Sequence, residues 1–237
     1  MRLSIPIFRL KRQARLNARA TGVPLNQALD ELARAEGFKA WSHLAASVSS
    51  RRPARDVLAQ LNPGDVMLLG ARPGHGKTLL GLELAIAAAK GSRPGLFFTL
   101  QEDDSSVGQF LRSLGVKEQA FPSFLTIDTS DDICASYVID RLEHMPRGAV
   151  AVIDYLQLLD QRRSNPEVSD QIRALRNYVR SSGAIIVVLS QISRAFDERA
   201  GTLPSLTDVR LPNPLDLKLF TKTCFLHNGE ASLEAVN

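Results

Sequence analysis

The sequence predicts an α/β fold with a mostly parallel sheet, an antiparallel hairpin at its C-terminal edge and a small basic helical module before it. From residue 61 onward, short apolar runs alternate with helical patterns, which is typical of a parallel sheet covered by helices. Near the C-terminus, two strand-like segments flank Asn228-Gly229, a dipeptide that favours a tight hairpin turn. Residues 5–46 have helical periodicity instead.

The N-terminal region is predicted to contain two or three short amphipathic helices within residues 5–46. Gly22 and Pro24 separate the first helix from the second, and Gly37 ends the second. Residues 47–60 follow as a linker, because their first part is rich in Ser, Arg and Pro. The predicted organisation is therefore a module at 1–46, a linker at 47–60 and a larger domain at 61–237.

The net charge of +4 conceals an asymmetry along the chain. Residues 1–55 hold eleven Lys and Arg against three Asp and Glu, a balance of +8, whereas the remaining residues hold 18 against 22, a balance of −4. The first predicted helix carries five of the basic residues: Arg9, Lys11, Arg12, Arg15 and Arg19. Such a helix forms either a phosphate-binding face or an ordinary solvated surface.

Strands of the larger domain are predicted where apolar runs end at turn or polar residues. The predicted strands are 66–69, 95–100, 125–128, 149–154 and 184–190, followed by 218–220, 223–227 and 232–236. The longest apolar run, 184–189, is too short to span a bilayer, and no basic-then-apolar export signal opens the chain. We therefore expect a cytoplasmic protein with no membrane partner. Cys134 and Cys224 lack CxxC spacing and are interpreted as packing residues.

A glycine-rich segment lies between the strand at 66–69 and a strongly helical segment. It fits the phosphate-binding pattern G-x-x-x-x-G-K-[ST], and its predicted nucleotide contacts are Gly70, Ala71, Arg72, Pro73, Gly74, His75, Gly76, Lys77, Thr78 and Leu79. The glycines let backbone N–H groups surround phosphates at the positive end of the next helix. Lys77 then reaches the β- and γ-phosphates, and the Thr78 hydroxyl coordinates Mg²⁺.

A second feature of the predicted site is the buried strand 149–154, which ends in Asp154. A carboxylate at the end of such a strand holds the Mg²⁺ shell opposite the phosphate-binding loop. Many buried strands end in Asp only to cap a turn, so the preceding phosphate-binding motif gives this residue its meaning. ATP and Mg²⁺ are the cofactors that the two motifs predict.

Four motifs in this order resemble the ATPase domain of DnaB-type replicative helicases, over about residues 61–230. They are the phosphate-binding loop at 70–78 and the segments Ile153-Asp154-Tyr155-Leu156-Gln157-Leu158, Leu189-Ser190-Gln191-Ile192-Ser193-Arg194 and Ser205-Leu206-Thr207-Asp208-Val209-Arg210. The resemblance implies a RecA-like ATPase core that assembles, usually as a hexamer, around single-stranded DNA. It also implies that Gln191 senses the γ-phosphate and couples hydrolysis to a DNA-contacting loop.

The general base is assigned through the same resemblance to the end of the second strand. By direct register that position is Gln101, with Glu102 one residue later. Related clock-protein ATPases carry two adjacent glutamates there, and Glu102 is therefore the predicted catalytic base. A glutamine orients a water molecule but does not accept its proton.

Two regions depart from the family pattern. His227 stands where the resemblance implies an arginine that completes the neighbouring subunit's site, which leaves Lys222 or Arg199 to supply that charge. The segment 211–214 replaces the usual glycine-containing DNA loop. Candidate contacts to the nucleic-acid backbone are Arg162, Arg163, Arg194 and Arg210.

The predicted function is Mg²⁺-dependent ATP hydrolysis coupled to movement on, or remodelling of, single-stranded DNA. Its predicted catalytic residues are Lys77, Glu102, Asp154 and Gln191. Two alternatives stay open at this point. One is an ATP-gated oligomeric switch of the clock-protein kind without unwinding activity, and the other is a DNA-binding adaptor whose basic N-terminal helices dock on nucleic acid.

Overall fold

The computed structural model describes residues 4, 7–50, 53–100, 124–193, 196, 204–211, 215–227 and 230–236. The chain divides into two compact units. The smaller consists mainly of residues 1–53, and the larger of residues 54–227 and 231–237. No helix among the described residues is long and apolar enough to cross a membrane.

The smaller unit is built from three helices: α1 (Ile7–Thr21), α2 (Leu25–Ala35) and α3 (Trp41–Ser50). Gly22 and Gly37 have φ of 75° and 84° after α1 and α2, a backbone region that glycine enters without steric cost. The Asp30 carboxylate accepts a hydrogen bond from the Trp41 backbone N–H at 2.8 Å, which ties the start of α3 to α2. The unit has its own apolar core, formed by Leu10, Ala33 and Leu44 with Leu32, Phe38 and Trp41 packed against it.

The predicted linker at 47–60 is helical over most of its length. Residues 47–50 complete α3, and α4 (Pro53–Ala59) follows. Ala54 and Val57 on α4 are buried in a core cluster with residues of the sheet, so the larger unit begins at Ala54. The Ser- and Pro-rich composition misled the prediction, because Pro is well accommodated in the first turn of a helix.

The larger unit alternates strands and helices. Its strands are β1 (Val66–Ala71), β2 (Gly95–Thr99), β3 (Leu125–Asp128), β4 (Val150–Asp154), β5 (Ile185–Gln191), β6 (Lys222–His227) and β7 (Glu230–Ala235). Its further helices are α5 (Lys77–Lys90), α6 (Ala135–Glu143) and α7 (Val168–Ser182). Short 3₁₀ helices lie at Leu156–Asp160, Leu206–Asp208 and Leu217–Leu219.

The strands form one seven-stranded sheet in the order β3-β2-β4-β5-β1-β6-β7. Every strand pair from β3 to β6 is parallel. The hairpin strand β7 forms an antiparallel edge, with a hydrogen bond of 3.0 Å from Val236 N to Thr221 O closing its open end. The predicted fold class is therefore confirmed, and the carboxyl ends of β1 to β5 lie at one edge of the sheet.

The strand predicted at 218–220 is wrong. Leu217–Leu219 is a 3₁₀ helix whose first turn is capped by the Asp216 carboxylate, which accepts from Lys218 N at 3.0 Å. Leu219 and Phe220 are buried all the same. Burial of a short apolar run therefore reproduced the strand pattern, while the aspartate cap selected the helical turn.

Both faces of the sheet are covered. Helices α4 and α5 pack on one face, and α6 and α7 on the other. Two glycines let α5 lie close to the sheet: a Cβ atom on Gly95 would lie 2.1 Å from the Ala85 carbonyl oxygen, and one on Gly81 would lie 3.0 Å from Val152. The N-terminus of α5 is thereby held at the carboxyl edge of the strands.

Candidate nucleotide-binding site

The phosphate-binding motif forms the connection from β1 to α5. Gly70 and Ala71 are the last residues of β1, so the strand is two residues longer than predicted, and residues 72–76 form the loop. Gly74 and Gly76 have φ of 79° and 85°. Gly76 immediately precedes α5, and the loop therefore delivers the unpaired backbone N–H groups of the first helical turn to the edge of the sheet.

Gly70 has a packing role of its own. A Cβ atom there would lie 2.7 Å from the Phe225 ring on the neighbouring strand β6 and 3.0 Å from Ile192. The first glycine of the motif therefore seats the loop against the sheet. The flexible backbone that the loop needs is provided by Gly74 and Gly76 instead.

Lys77 and Asp154 meet at the centre of the site. Lys77 is the first residue of α5 and is 8% exposed, while Asp154 ends β4 and is fully buried. The Lys77 ammonium nitrogen lies 3.3 Å from Asp154 Oδ1. The ammonium also lies 5.5 Å from the centre of the Tyr155 ring, a cation–π contact that further restricts its position.

The second carboxylate oxygen of Asp154 has no protein partner. Asp154 Oδ2 is buried without a hydrogen bond, and a buried anionic oxygen in that state is costly. The Thr78 hydroxyl oxygen is close by, since it lies 3.5 Å from the same Lys77 nitrogen. A hydroxyl and a carboxylate oxygen are the hard ligands that Mg²⁺ takes alongside nucleotide phosphates, so these residues fit the metal.

Gln191 lies at the same edge of the sheet. It ends β5, the strand between β1 and β4, and its Cα atom is paired with that of Ala71. Side chains alternate along β5, and Leu189 belongs to the core cluster on the α5 face, so Gln191 is directed to that face as well. Its side chain is half-buried.

The end of β5 is hydrogen-bonded to the segment at 205–210. The Gln191 carbonyl accepts from Arg210 N at 2.7 Å, and Ser193 N donates to the Asp208 carbonyl at 2.7 Å. Ser205 and Asp208 cap the intervening 3₁₀ turn reciprocally through their side chains. The predicted sensor residue and a predicted DNA-contacting arginine are thus joined through the main chain.

The remaining candidate arginines and the general base differ in what the structure describes. Arg162 and Arg163 are exposed after the 3₁₀ helix that follows β4, and Arg162 forms an ion pair with Asp132. Glu102, Gln101, Arg194 and Arg199 lie outside the described residues. Thr99, which pairs with Asp154 in the sheet register, is the last described strand residue before Glu102.

Lys222 and His227 lie at opposite ends of β6. Lys222 pairs in register with Met67 near the start of β1, and its ammonium nitrogen lies 3.3 Å from Asp65 Oδ2 and donates to the Gln60 carbonyl. His227 follows Leu226, which pairs with Ala71 at the carboxyl edge. Lys222 is therefore held away from that edge by partners in its own chain.

Gln171 on α7 is a buried polar residue that the sequence prediction missed. It is 2% exposed, its Oε1 accepts from Ala135 N at 2.9 Å, and its Nε2 donates to the carbonyls of Leu159 at 2.5 Å and Pro166 at 2.8 Å. It thereby ties the segment after β4 to the start of α6. Its position between Val168, Ile172 and Leu175 on the apolar stripe was the available signal.

Comparisons with known proteins agree with the motifs. Residues 123–213 match the family model described as DnaB-like helicase C terminal domain. The replicative DNA helicase DnaB of Leifsonia xyli subsp. xyli is 29% identical, over 63% of this chain and 40% of that protein. The chain thus spans about 40% of the length of this curated relative.

Two solved structures share the fold. One, whose title describes it as an ATPase domain, has a TM-score of 0.56 at 18% identity and covers 78% of this chain and 80% of that one. A DnaB-like replicative helicase, described in its title with its interactions with primase, also has a TM-score of 0.56 at 18% identity. That match covers 92% of this chain and 63% of the other. The resemblance of this chain to the RecA-like ATPase domain of DnaB-type replicative helicases is therefore confirmed.

Proposed function

We propose that the chain is a Mg²⁺-dependent ATPase of the helicase type, which couples ATP hydrolysis to movement on or remodelling of single-stranded DNA. The observation that carries the proposal is the contact between Lys77 and Asp154, with Asp154 Oδ2 buried and unpartnered beside it. The similarity to replicative helicases supports the type of activity.

The chemistry at this site follows from the charges of the two side chains. Lys77 stands at the N-terminus of α5, where an ammonium and backbone N–H groups both attract phosphate. When a nucleotide binds, Lys77 exchanges part of its interaction with Asp154 for the β- and γ-phosphates. Thr78 and Asp154 then hold Mg²⁺, which neutralises charge on the phosphates.

Glu102 is the proposed general base, and Gln101 is the competing residue. Glu102→Gln removes the only one of the two side chains that accepts a proton, so turnover falls by about a hundredfold or more. Gln101→Glu adds a second carboxylate and serves as the matched variant. Loss of turnover in Glu102→Gln with no gain in Gln101→Glu supports Glu102; an unaffected Glu102→Gln enzyme assigns the role elsewhere.

Gln191 is proposed to report the γ-phosphate to the DNA-contacting segment. Its side-chain amide donates to phosphate, while its carbonyl already holds Arg210 at 2.7 Å. A shift of the strand end by a few tenths of an ångström thus displaces Arg210 directly. Arg163, Arg194 and Arg210 then contact the DNA backbone, and Arg162 does so less because Asp132 pairs with it.

The test is ATP turnover by the full chain with and without single-stranded DNA, at low salt so that phosphate contacts are not screened. Lys77→Ala removes the phosphate-binding ammonium and abolishes turnover. Lys90→Ala is the control, since it removes an exposed lysine from the last turn of the same helix. DNA-stimulated turnover in the parent and Lys90→Ala, lost in Lys77→Ala, supports the proposal; parental turnover in Lys77→Ala refutes it.

The proposed assembly is a homo-oligomer, with a hexameric ring as the form that the resemblance implies. One observation favours the switch alternative: Lys222, a candidate for completing a neighbour's site, is engaged by Asp65 and Gln60. A chain that binds ATP and oligomerises, with slow turnover that DNA does not stimulate, is such a switch. Sedimentation with and without a non-hydrolysable ATP analogue, beside the turnover assay, separates the two functions.

A further inference from the structure

Helix α1 presents a continuous basic face that the module does not use. Lys11, Arg12, Arg15 and Arg19 are exposed, and the helix contains no acidic residue. At 100° per residue these four side chains fall within about a quarter of the helix circumference. Leu10 and Ala14, which are 2% and 0% exposed, lie on the side turned to the interior of the module.

The acidic residues of the module are committed to other groups. Asp30 accepts from Trp41 N, Glu31 accepts from Gln27 at 3.3 Å, and Glu36 accepts from Ser4. Within the described part of the chain, none of the four basic side chains forms an ion pair. The charge of this face is therefore not neutralised inside the module, which distinguishes it from an ordinary solvated helix laced with ion pairs.

We propose that this face of α1 binds the phosphate backbone of duplex DNA. From Lys11 to Arg19 the helix rises by about 12 Å, which corresponds to three or four phosphates along one strand of a duplex. Four cations thus match the charge that the strand presents over that distance. This site goes beyond the proposed function, which assigns single-stranded DNA to the carboxyl edge of the sheet.

The composition of the face selects duplex DNA over two other polyanions. Binding to single strands relies on aromatic side chains that stack on bases, and no aromatic residue accompanies the four cations from Lys11 to Arg19. Binding to an anionic membrane requires a free apolar face. That face of α1 is used by the module core, and Leu16 is the one large apolar side chain exposed among its described residues.

The test measures binding of the full chain to a labelled blunt duplex across 50–200 mM salt. Arg15→Gln/Arg19→Gln removes two proposed phosphate contacts and keeps good helix formers. It is expected to reduce the slope of log K against log salt by about 1.8 and to weaken binding about sixtyfold at 0.1 M salt. Arg34→Gln/Lys39→Gln is the matched control, because it removes two exposed charges from α2 and the turn after it.

Two further variants keep the outcome decisive. Arg15→Lys/Arg19→Lys retains the charges and is expected to keep the parental slope, which separates charge from folding. Lys77→Ala is expected to retain duplex binding, so failure of the ATPase proposal leaves this one standing. An unchanged slope in Arg15→Gln/Arg19→Gln overturns the proposal. So does an equal loss in the Arg34→Gln/Lys39→Gln control, or a loss confined to single-stranded DNA or anionic vesicles.

Discussion

The Lys77 ammonium lies 3.3 Å from one carboxylate oxygen of Asp154, while the other oxygen of Asp154 is buried without a partner. The two residues come from the helix after β1 and from the end of β4, with β5 between the strands. A lysine that neutralises the carboxylate from one side leaves the opposite oxygen free for a cation. The geometry thus links the stability of the site to the ligands that it is proposed to bind.

This arrangement predicts that stability and activity separate in a double variant. Lys77→Met leaves the Asp154 charge buried and unpaired, and the free energy of unfolding is expected to fall by about 3 kcal/mol. Lys77→Met/Asp154→Asn removes both charges and should recover most of that loss, while ATP turnover stays abolished. Urea denaturation and a turnover assay on the same preparations measure both effects. Equal stability of the single and double variants would show that the pair is not buried as described.

The main-chain link between Gln191 and Arg210 predicts an uncoupling variant. Gln191→Ala keeps the carbonyl that holds Arg210 but removes the amide proposed to contact phosphate. DNA-stimulated turnover is expected to fall ten- to a hundredfold, about the effect of one hydrogen bond to a charged group, with ATP affinity changed less than about twofold. Gln161→Ala, at an exposed glutamine, is the control. Parental stimulation in Gln191→Ala would remove the residue from the coupling path.

Gln171 predicts a large effect from a residue far from any motif. Gln171→Met keeps the volume but leaves the Leu159 and Pro166 carbonyls and the Ala135 N–H without their partner. The expected loss is about 2–4 kcal/mol in the free energy of unfolding. Gln161→Met, an exposed change in the neighbouring segment, should stay within about 0.5 kcal/mol. Chemical denaturation of the two variants provides the comparison, and similar stabilities would contradict the role of Gln171.

Local signals explain what the sequence could predict. The phosphate-binding loop needs its glycines at fixed positions, and the strands ending in Asp154 and Gln191 are continuous apolar runs, so short segments were sufficient. The errors arose where local and distant information compete. The Leu217–Leu219 turn depends on the Asp216 cap, and α4 depends on burial of Ala54 and Val57 against the sheet.

The contacts that were missed join residues far apart in the chain. Lys222 reads as a free cation in the sequence, and only the pairing of β6 with β1 brings it to Asp65. Gln171 binds two carbonyls of an irregular segment, for which no periodic pattern exists. Such partners follow from the folded sheet order, which motif spacing does not encode.

The two cysteines predict contrasting reactivity, because their burial differs. Cys224 lies on β6 within the core, and burial raises the pKa of its thiol to about 12, whereas Cys134 is half-buried at the start of α6. A maleimide reagent at neutral pH is therefore expected to modify Cys134 and to reach Cys224 only after unfolding. Mass spectrometry of native and urea-treated protein measures this, and rapid native labelling of Cys224 would contradict its burial.

The raised pKa of the Cys224 thiol also predicts a loss of stability in alkali. The unfolded chain ionises this thiol near pH 9 and the folded chain near pH 12, so its contribution is fully present below about pH 9 and is lost as the pH rises towards 12. At pH 10 the loss is about 1 kcal/mol. Cys224→Val removes this ionisation but leaves every other titrating group. The free energy of unfolding of the parent should therefore fall more steeply between pH 8 and 10 than that of the variant. Parallel curves would show that the thiol ionises equally in both states.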